Sequence, residues 1–229
     1  MLTPLELTGR TRAHVVQRDD LGAALHPPAL EAFLALRDGA AAAGHDLAIA
    51  SSFRDFAAQQ RIWDLKYRGE RPLFDAHGVP RDHASLGERE LVEAILCWSA
   101  LPGASRHHWG TEIDVYDRAA MPEGYRLRLL PEEAAPGGVF HALHRWLDGH
   151  MAEYGFYRPY ATFHGGVLPE PWHLSSAPVS AAATNALTLE VLTEAVTTST
   201  LLGKAHVLER LPDIHRRYVQ SVDAPPARP

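Results

Sequence analysis

Ser105-Arg106-His107-His108-Trp109-Gly110-Thr111-Glu112-Ile113-Asp114 is the stretch on which the reading of this chain turns. It sets a histidine and an aspartate seven positions apart around a glycine, just where one helix has stopped and a strand is about to begin. Downstream, Glu170-Pro171-Trp172-His173 puts a glutamate three positions ahead of another histidine. The two segments supply two imidazoles and one carboxylate suited to Zn²⁺, and a spare carboxylate suited to proton transfer. A catalytic zinc site needs that set: three protein ligands, an open position for water and a proton acceptor.

Composition bounds the rest. A chain of 229 residues can form one well-cored domain with additions, or two small ones. Its 46% hydrophobic and 22% charged residues are those of an ordinary globular protein. A net charge of −6, with no cluster of Lys and Arg, argues against a nucleic-acid binder, since phosphate contacts need clustered cations. The longest basic group, Arg210 to Arg217, is interrupted by Pro212 and Asp213. Cys97 is the single cysteine, so no intramolecular disulfide forms. It lies in an apolar helical run with Leu91, Ile95, Leu96 and Trp98 and reads as a small core residue. Zinc would then be held by nitrogen and oxygen. Met1 to Arg18 lacks the apolar run of a signal peptide, from which a cytoplasmic location is expected. No eighteen consecutive apolar residues occur, so no membrane span is expected.

Outward from the opening stretch, the pattern predicts a helix over 30–44, a strand over 46–51, and a helix from an Asp55 N-cap to about Tyr67. A polar loop follows over 69–87, of the kind that borders active sites, then a helix over 87–100 stopped by Pro102-Gly103. Glu112 to Tyr116 reads as a strand and 117–138 as irregular. Residues 138–154 read as a helix with Phe140, Leu143, Leu147 and Met151 on one face. Residues 154–163 and 168–175 read as strands, and 183–220 as two helices separated near Gly203. The Pro-rich tail 223–229 is expected to be disordered. Helices and strands do not alternate regularly, which favours α+β over a doubly wound sheet.

The chain has 14 histidines, and one taken alone would read as a surface or core residue. His107 and His173 stand out by their acidic partners. His141 and His144 form a rival pair on one helix face, but no acidic third ligand shares it. Glu170-x-x-His173 has the spacing of a helical di-metal motif, but Pro171 argues against a helix there. His108, in an extended segment, would point away from His107.

Ser105-x-His107-x-x-Gly110-x-x-x-Asp114 resembles the signature of the zinc D-alanyl-D-alanine carboxypeptidases, the M15 peptidases of VanY type. These are related to the vancomycin-resistance D,D-peptidases, the L,D-carboxypeptidases and the Hedgehog-type zinc fold. Glu170-Pro171-Trp172-His173 resembles the same family's second motif. Ser52-Phe53-Arg54, with Gln59 five residues on, resembles its Ser-Gly-Tyr-Arg segment and following glutamine, and the Leu101-Pro102-Gly103 lead-in also fits. The motifs occur in the family's order and cover roughly residues 46–178.

The resemblance implies a single α+β domain over 1–222 of the Hedgehog/D,D-peptidase type. It would have a small central antiparallel sheet flanked by helices and a helical extension over 183–220. It implies one Zn²⁺ held by His107, Asp114 and His173, with a water in the fourth position and Glu170 as its general base. Arg54 would face the oxyanion or the substrate carboxylate, and Ser105 and Gln59 would hydrogen-bond the substrate's end. Trp109 and Trp172 would wall the site or join the core. The implied activity is a carboxypeptidase acting at a D-amino acid of peptidoglycan stem peptides, of D,D or L,D type. Alternatives are an endopeptidase of the same fold and a zinc-stabilised binding module without turnover. Two departures stand out. Ser52 replaces the usual glycine, and Glu112 replaces a small residue. Glu112 shares a strand face with Asp114, so it either orients a ligand or marks a distorted strand.

Overall fold

A computed structural model describes residues 1–226. The first helix, α1 (Pro4–Leu7), is followed by a hairpin of β1 (Val16–Arg18) and β2 (Ala23–Leu25). Then come α2 (Pro27–Ala42), β3 (Leu47–Ser51) and α3 (Phe56–Tyr67). A second hairpin, β4 (Leu73–Phe74) with β5 (Pro80–Arg81), leads to α4 (Glu88–Leu96) and β6 (Glu112–Asp117). After it lie α5 (Pro131–Ala134), α6 (His141–His150), β7 (Phe156–Tyr157) and β8 (His173–Ser176). The C-terminal part holds α7 (Ala177–Ala186), α8 (Leu189–Thr197), α9 (Lys204–Glu209) and α10 (Leu211–Ile214), the last continued by a π-helical turn to Gln220.

The central sheet has four antiparallel strands in the order β3-β6-β8-β7. Alternation along its middle strands decides the protein's two sides. Ile113, Val115 and Leu174 face a core shared with Phe33, Leu36, Leu143 and Leu147 of α2 and α6. Glu112, Asp114, His173 and Ser175 take the alternate positions. The register sets Asp114 opposite His173 and Glu112 opposite Ser175. The expected α+β architecture with a small antiparallel sheet is therefore present.

A second apolar cluster joins α4 to the C-terminal helices through Val92, Ile95, Leu96, Leu192, Val196, Val207 and Ile214. Where two helices were expected over 183–220, the chain breaks into shorter ones that begin already at Ala177. Thr188 caps α8 by accepting from the Val191 amide, and Gly203 starts α9 in the left-handed region. The expected 168–175 strand shrinks to its end, because Pro169 and Pro171 cannot donate to a ladder. The predicted Asp55 N-cap is present, accepting from the Ala58 amide at 2.7 Å. Cys97 is only partly buried, at the end of α4, rather than in the core. Asp223, placed by the sequence reading in a disordered tail, takes the Thr162 amide at 2.8 Å and donates its own amide to the Pro159 carbonyl. Residues 227–229 of that tail lie outside the described residues. Among the described residues, no helix is long and apolar enough to cross a membrane.

Candidate active site

Two irregular segments are stitched together beneath the site. After β3 the chain runs extended through Ser52-Phe53-Arg54, and a 3-10 turn, Arg106–Trp109, precedes β6. The Arg54 amide donates to the His107 carbonyl at 3.2 Å, and the His108 ring nitrogen Nδ1 meets the Arg54 carbonyl at 2.6 Å. Gly110 ends the turn at φ +67°, and a Cβ there would lie 2.3 Å from Val15 and 2.9 Å from the His26 amide. Only glycine fits that approach.

The turn gives two adjacent histidines opposite fates. His107 points its Nε2 at Asp114 Oδ2, 3.4 Å away, while its Nδ1 donates to the Ser52 carbonyl at 2.8 Å. His108 is fully enclosed. Its Nε2 accepts from the Gly103 amide at 3.1 Å, and burial drives its pKa down to about 3. The expectation that His108 stays out of the site holds, but through a turn rather than an extended segment.

His173 comes from the neighbouring strand. Its Nδ1 lies 3.1 Å from Asp114 Oδ1, and its Nε2 lies 3.0 Å from Glu112 Oε2. One donor atom each from His107, Asp114 and His173 fall within 4.8 Å of one another, all buried, so this group can hold a metal ion. The donors suit zinc: two imidazoles and a carboxylate. The outer ring nitrogens are already engaged, one by a backbone carbonyl and one by a carboxylate. That is how metal-binding imidazoles are oriented. Glu112 is thus the acid that orients His173; β6 pairs in regular register with β8 here, and the irregularity lies on its other side, in β3 between Ile49 and Ser51.

Glu112 is completely buried and would be costly alone. It is compensated by Arg106 at 3.4 Å and by Thr111 and Ser175 hydroxyls at 3.0 and 2.8 Å. Arg106 in turn donates to Tyr157, Ser175 and Thr184 and lies over the Trp109 ring. Burial opposes ionisation of Glu112, but Arg106 and His173 prevail and hold its pKa down to about 2. Asp114 is likewise held below the usual carboxylate range, its burial outweighed by His107 and His173. Burial also opposes protonation of His173, yet its hydrogen bonds to Asp114 and Glu112 raise its pKa to about 10. His107, with burial dominant, is shifted downward.

Glu170 sits 3.4 Å from His173 Nδ1, and its amide donates to the Tyr160 carbonyl. Burial raises its pKa to about 7, against the pull of His173. Such a carboxyl exchanges a proton readily at neutral pH.

These groups open into a cleft of about 350 Å³, within the range of small-ligand sites. Arg54, Ser105, Tyr160, Glu170 and Trp172 line it, together with Arg128, Leu129 and Leu130 from the irregular 117–138 loop. Buried Glu133 fixes that loop by accepting from the Tyr125 hydroxyl and the Arg128 and Leu130 amides. Arg54 donates to Gln59 Oε1 at 2.7 Å and Ser51 Oγ at 2.8 Å.

Gln59 departs from the sequence expectation. It is 0% exposed, and its amide nitrogen is spent on the Ala100 carbonyl at 2.7 Å, so it braces Arg54 rather than facing the cleft. Trp109 is core and donates to the Leu7 carbonyl, whereas Trp172 does wall the cleft. His141 and His144 stand apart from the site. His141 meets the Ala134 carbonyl and His144 meets Arg158. Arg106 and Tyr160 were not singled out from the sequence. Arg106 lies inside the quoted stretch, but the hydroxyls it donates to come from 51 to 78 positions away.

Comparison with known proteins places the chain in a family. An uncharacterized protein of Haemophilus influenzae is 33% identical over 127 residues, which span 55% of this chain and 95% of its own length. The structure of VanYB in complex with D-alanine-D-alanine superposes with a TM-score of 0.50 at 26% identity, covering 81% of this chain and 89% of that one. So does a Zn(II) complex of a glutamate-to-alanine mutant of the vancomycin-resistance D,D-pentapeptidase VanY. It has a TM-score of 0.50 at 25% identity, and covers 76% of this chain and 83% of that one. The fold is of the Hedgehog/D,D-peptidase type. The family model for VanY, D-alanyl-D-alanine carboxypeptidase, matches residues 22–179, which contain every element of the cleft just described, and the chain belongs to that family.

Proposed function

We propose that this protein is a zinc-dependent carboxypeptidase that hydrolyses the peptide bond before a terminal D-amino acid in a peptidoglycan stem peptide. His107, Asp114 and His173 would hold one zinc ion. When bound, zinc supplies a Lewis acid that polarises a carbonyl and activates water. The chain's own residues do the rest. Glu170 takes the proton of the attacking water and returns it to the leaving amine, a double role that suits a carboxyl with a pKa of about 7. Arg54, held by Gln59 and Ser51, presents a fixed cation to the substrate's carboxylate or to the developing oxyanion. Ser105, which lines the cleft, would hydrogen-bond the substrate's end. Tyr160, its pKa raised by burial, stays a neutral donor beside the His173 ring.

The observation that carries this reading is the placement of Glu170 against the three-residue donor set, 3.4 Å from His173, inside a cleft that also presents Arg54. A binding module has no use for a raised carboxyl there. The test is Glu170→Gln. The variant should keep its metal and lose turnover of a peptide ending in D-Ala-D-Ala. Normal turnover by the variant would refute the mechanism.

A further inference from the structure

The cleft carries more positive charge than one terminal carboxylate needs. Arg54, Lys66 and Arg71 line it together, in a chain whose net charge is −6. Among the described residues none of the three has an ion-pair partner. Arg54 donates to Gln59 and Ser51, half-buried Lys66 donates to Ser99 Oγ at 2.7 Å, and Arg71 is exposed. Arg128, which also lines the cleft, is already neutralised by Glu132 at 3.4 Å and Glu133 at 3.9 Å. The cations in play therefore lie at the two ends of one helix: Arg54 just before α3, Lys66 in its last turn and Arg71 just beyond it.

Like charges gathered in a partly desolvated wall are unfavourable without a counter-ion. The strain shows at Lys66, whose pKa is pushed down to about 8 by burial and then by Arg71. Ser99 Oγ, occupied as an acceptor by Lys66, still has its hydrogen to donate into the cleft.

We propose that Lys66, Arg71 and Ser99 form a second anion subsite. It holds a carboxylate of the substrate other than the terminal one, so that the protein selects peptides with an acidic side chain next to the residues being cleaved. This rests on the carboxypeptidase reading for its substrate class. Arg54 serves the terminal carboxylate or the oxyanion, and the Lys66–Arg71 pair reads the acid further along the chain. A carboxylate there gains charge-assisted hydrogen bonds that its amide cannot match.

The test uses two N-acetylated peptides of the form X-D-Ala-D-Ala, with X either glutamate or glutamine. Binding is measured by calorimetry on the zinc-loaded Glu170→Gln protein, and turnover on the zinc-loaded protein without substitution. The acidic peptide should bind and turn over about tenfold better than its amide. That ratio should fall toward one in Arg71→Gln, which alters an exposed residue, and in Lys66→Met, which keeps the aliphatic stem. A ratio near one in the protein itself, or an unchanged ratio in both variants, overturns the subsite. Preferential binding of the acidic peptide without any turnover leaves the subsite standing and removes the carboxypeptidase reading. Turnover of both peptides at equal rates does the reverse. Failure of both peptides to bind overturns both.

Discussion

The two walls of the cleft are built on opposite electrostatic plans. On the sheet side, the face of β6 and β8 gathers Glu112, Asp114 and His173, with His107 and Glu170 beside them, linked to one another by contacts of 3.0 to 3.4 Å. On the helix side, Arg54, Lys66 and Arg71 hang on α3 and its flanks without any carboxylate partner among the described residues. The first wall is closed, buried and prepared for a cation. The second is open and prepared for anions. A charged substrate bridging them would be oriented by both, which is how positioning lowers a barrier before any bond is made.

The largest effect that would break this contrast is on the sheet wall. Glu170→Gln should lower turnover on the order of 10²- to 10⁴-fold, the usual span for a general base. Metal content should be unchanged. Loss of metal along with activity would place Glu170 among the ligands instead.

The same substitution has a second consequence in the metal-free protein. The folded-state pKa of Glu170, about 7, lies above its ordinary 4.5, so the folded chain retains a proton that the unfolded chain gives up between those values. The stability tied to the neutral carboxyl is full below pH 4.5 and is lost as pH rises through 7. Glu170→Gln cannot ionise, so it should be more stable than the parent at pH 8, by about 3 kcal/mol at one unit per 1.36 kcal/mol. The gain should shrink toward pH 5. Denaturant titrations at both pH values check this, and an equal change at both would mean that the carboxyl is not desolvated.

Glu112 sharpens the comparison from behind the proposed metal ligands. Glu112→Ala removes the acceptor that orients His173 and leaves Arg106 without its counter-charge. Metal affinity, measured by chelator competition, should fall by about 10- to 100-fold. Glu112→Gln keeps an oxygen facing Nε2 and should recover part of the loss. Equal affinity in all three proteins would make Glu112 a bystander.

The smallest of these effects is the pH profile. With Glu170 needed as carboxylate, kcat/KM should fall on the acidic side about tenfold per unit once Glu170 is protonated, and that limb should be absent from the residual rate of Glu170→Gln. A limb that persists in the variant would belong to another group.

Much of the sheet wall was legible in the sequence, because its residues sit in short runs whose spacing is itself the signal. The seven-residue interval from His107 to Asp114 and the Glu170–His173 interval pointed to a zinc-type site, and the family resemblance they carry implied His107, Asp114 and His173 as its donors. The alternation Glu112–Asp114 correctly put both acids on one strand face. That Asp114 lies opposite His173 was not readable, since strand register is a long-range outcome. Gln59 was misread for a related reason. A helix position five residues after Arg54 says nothing about which side the packing will close, and here it closed on the amide. The helix wall was nearly invisible, because Lys66 and Arg71 look like surface charges until the 117–138 loop and the β4–β5 hairpin enclose the space before them. The C-terminal helices were partly read. Their apolar spacing showed, but breaks such as Thr188 depend on capping and on packing against α4.

The most direct test of the account is to weigh the products of a peptide ending in D-Ala-D-Ala after incubation with the zinc-loaded protein, with metal content measured on the same sample. One zinc per chain and loss of a single terminal D-alanine are the predicted result. Zinc bound with the peptide intact, or cut at an internal bond, would contradict it.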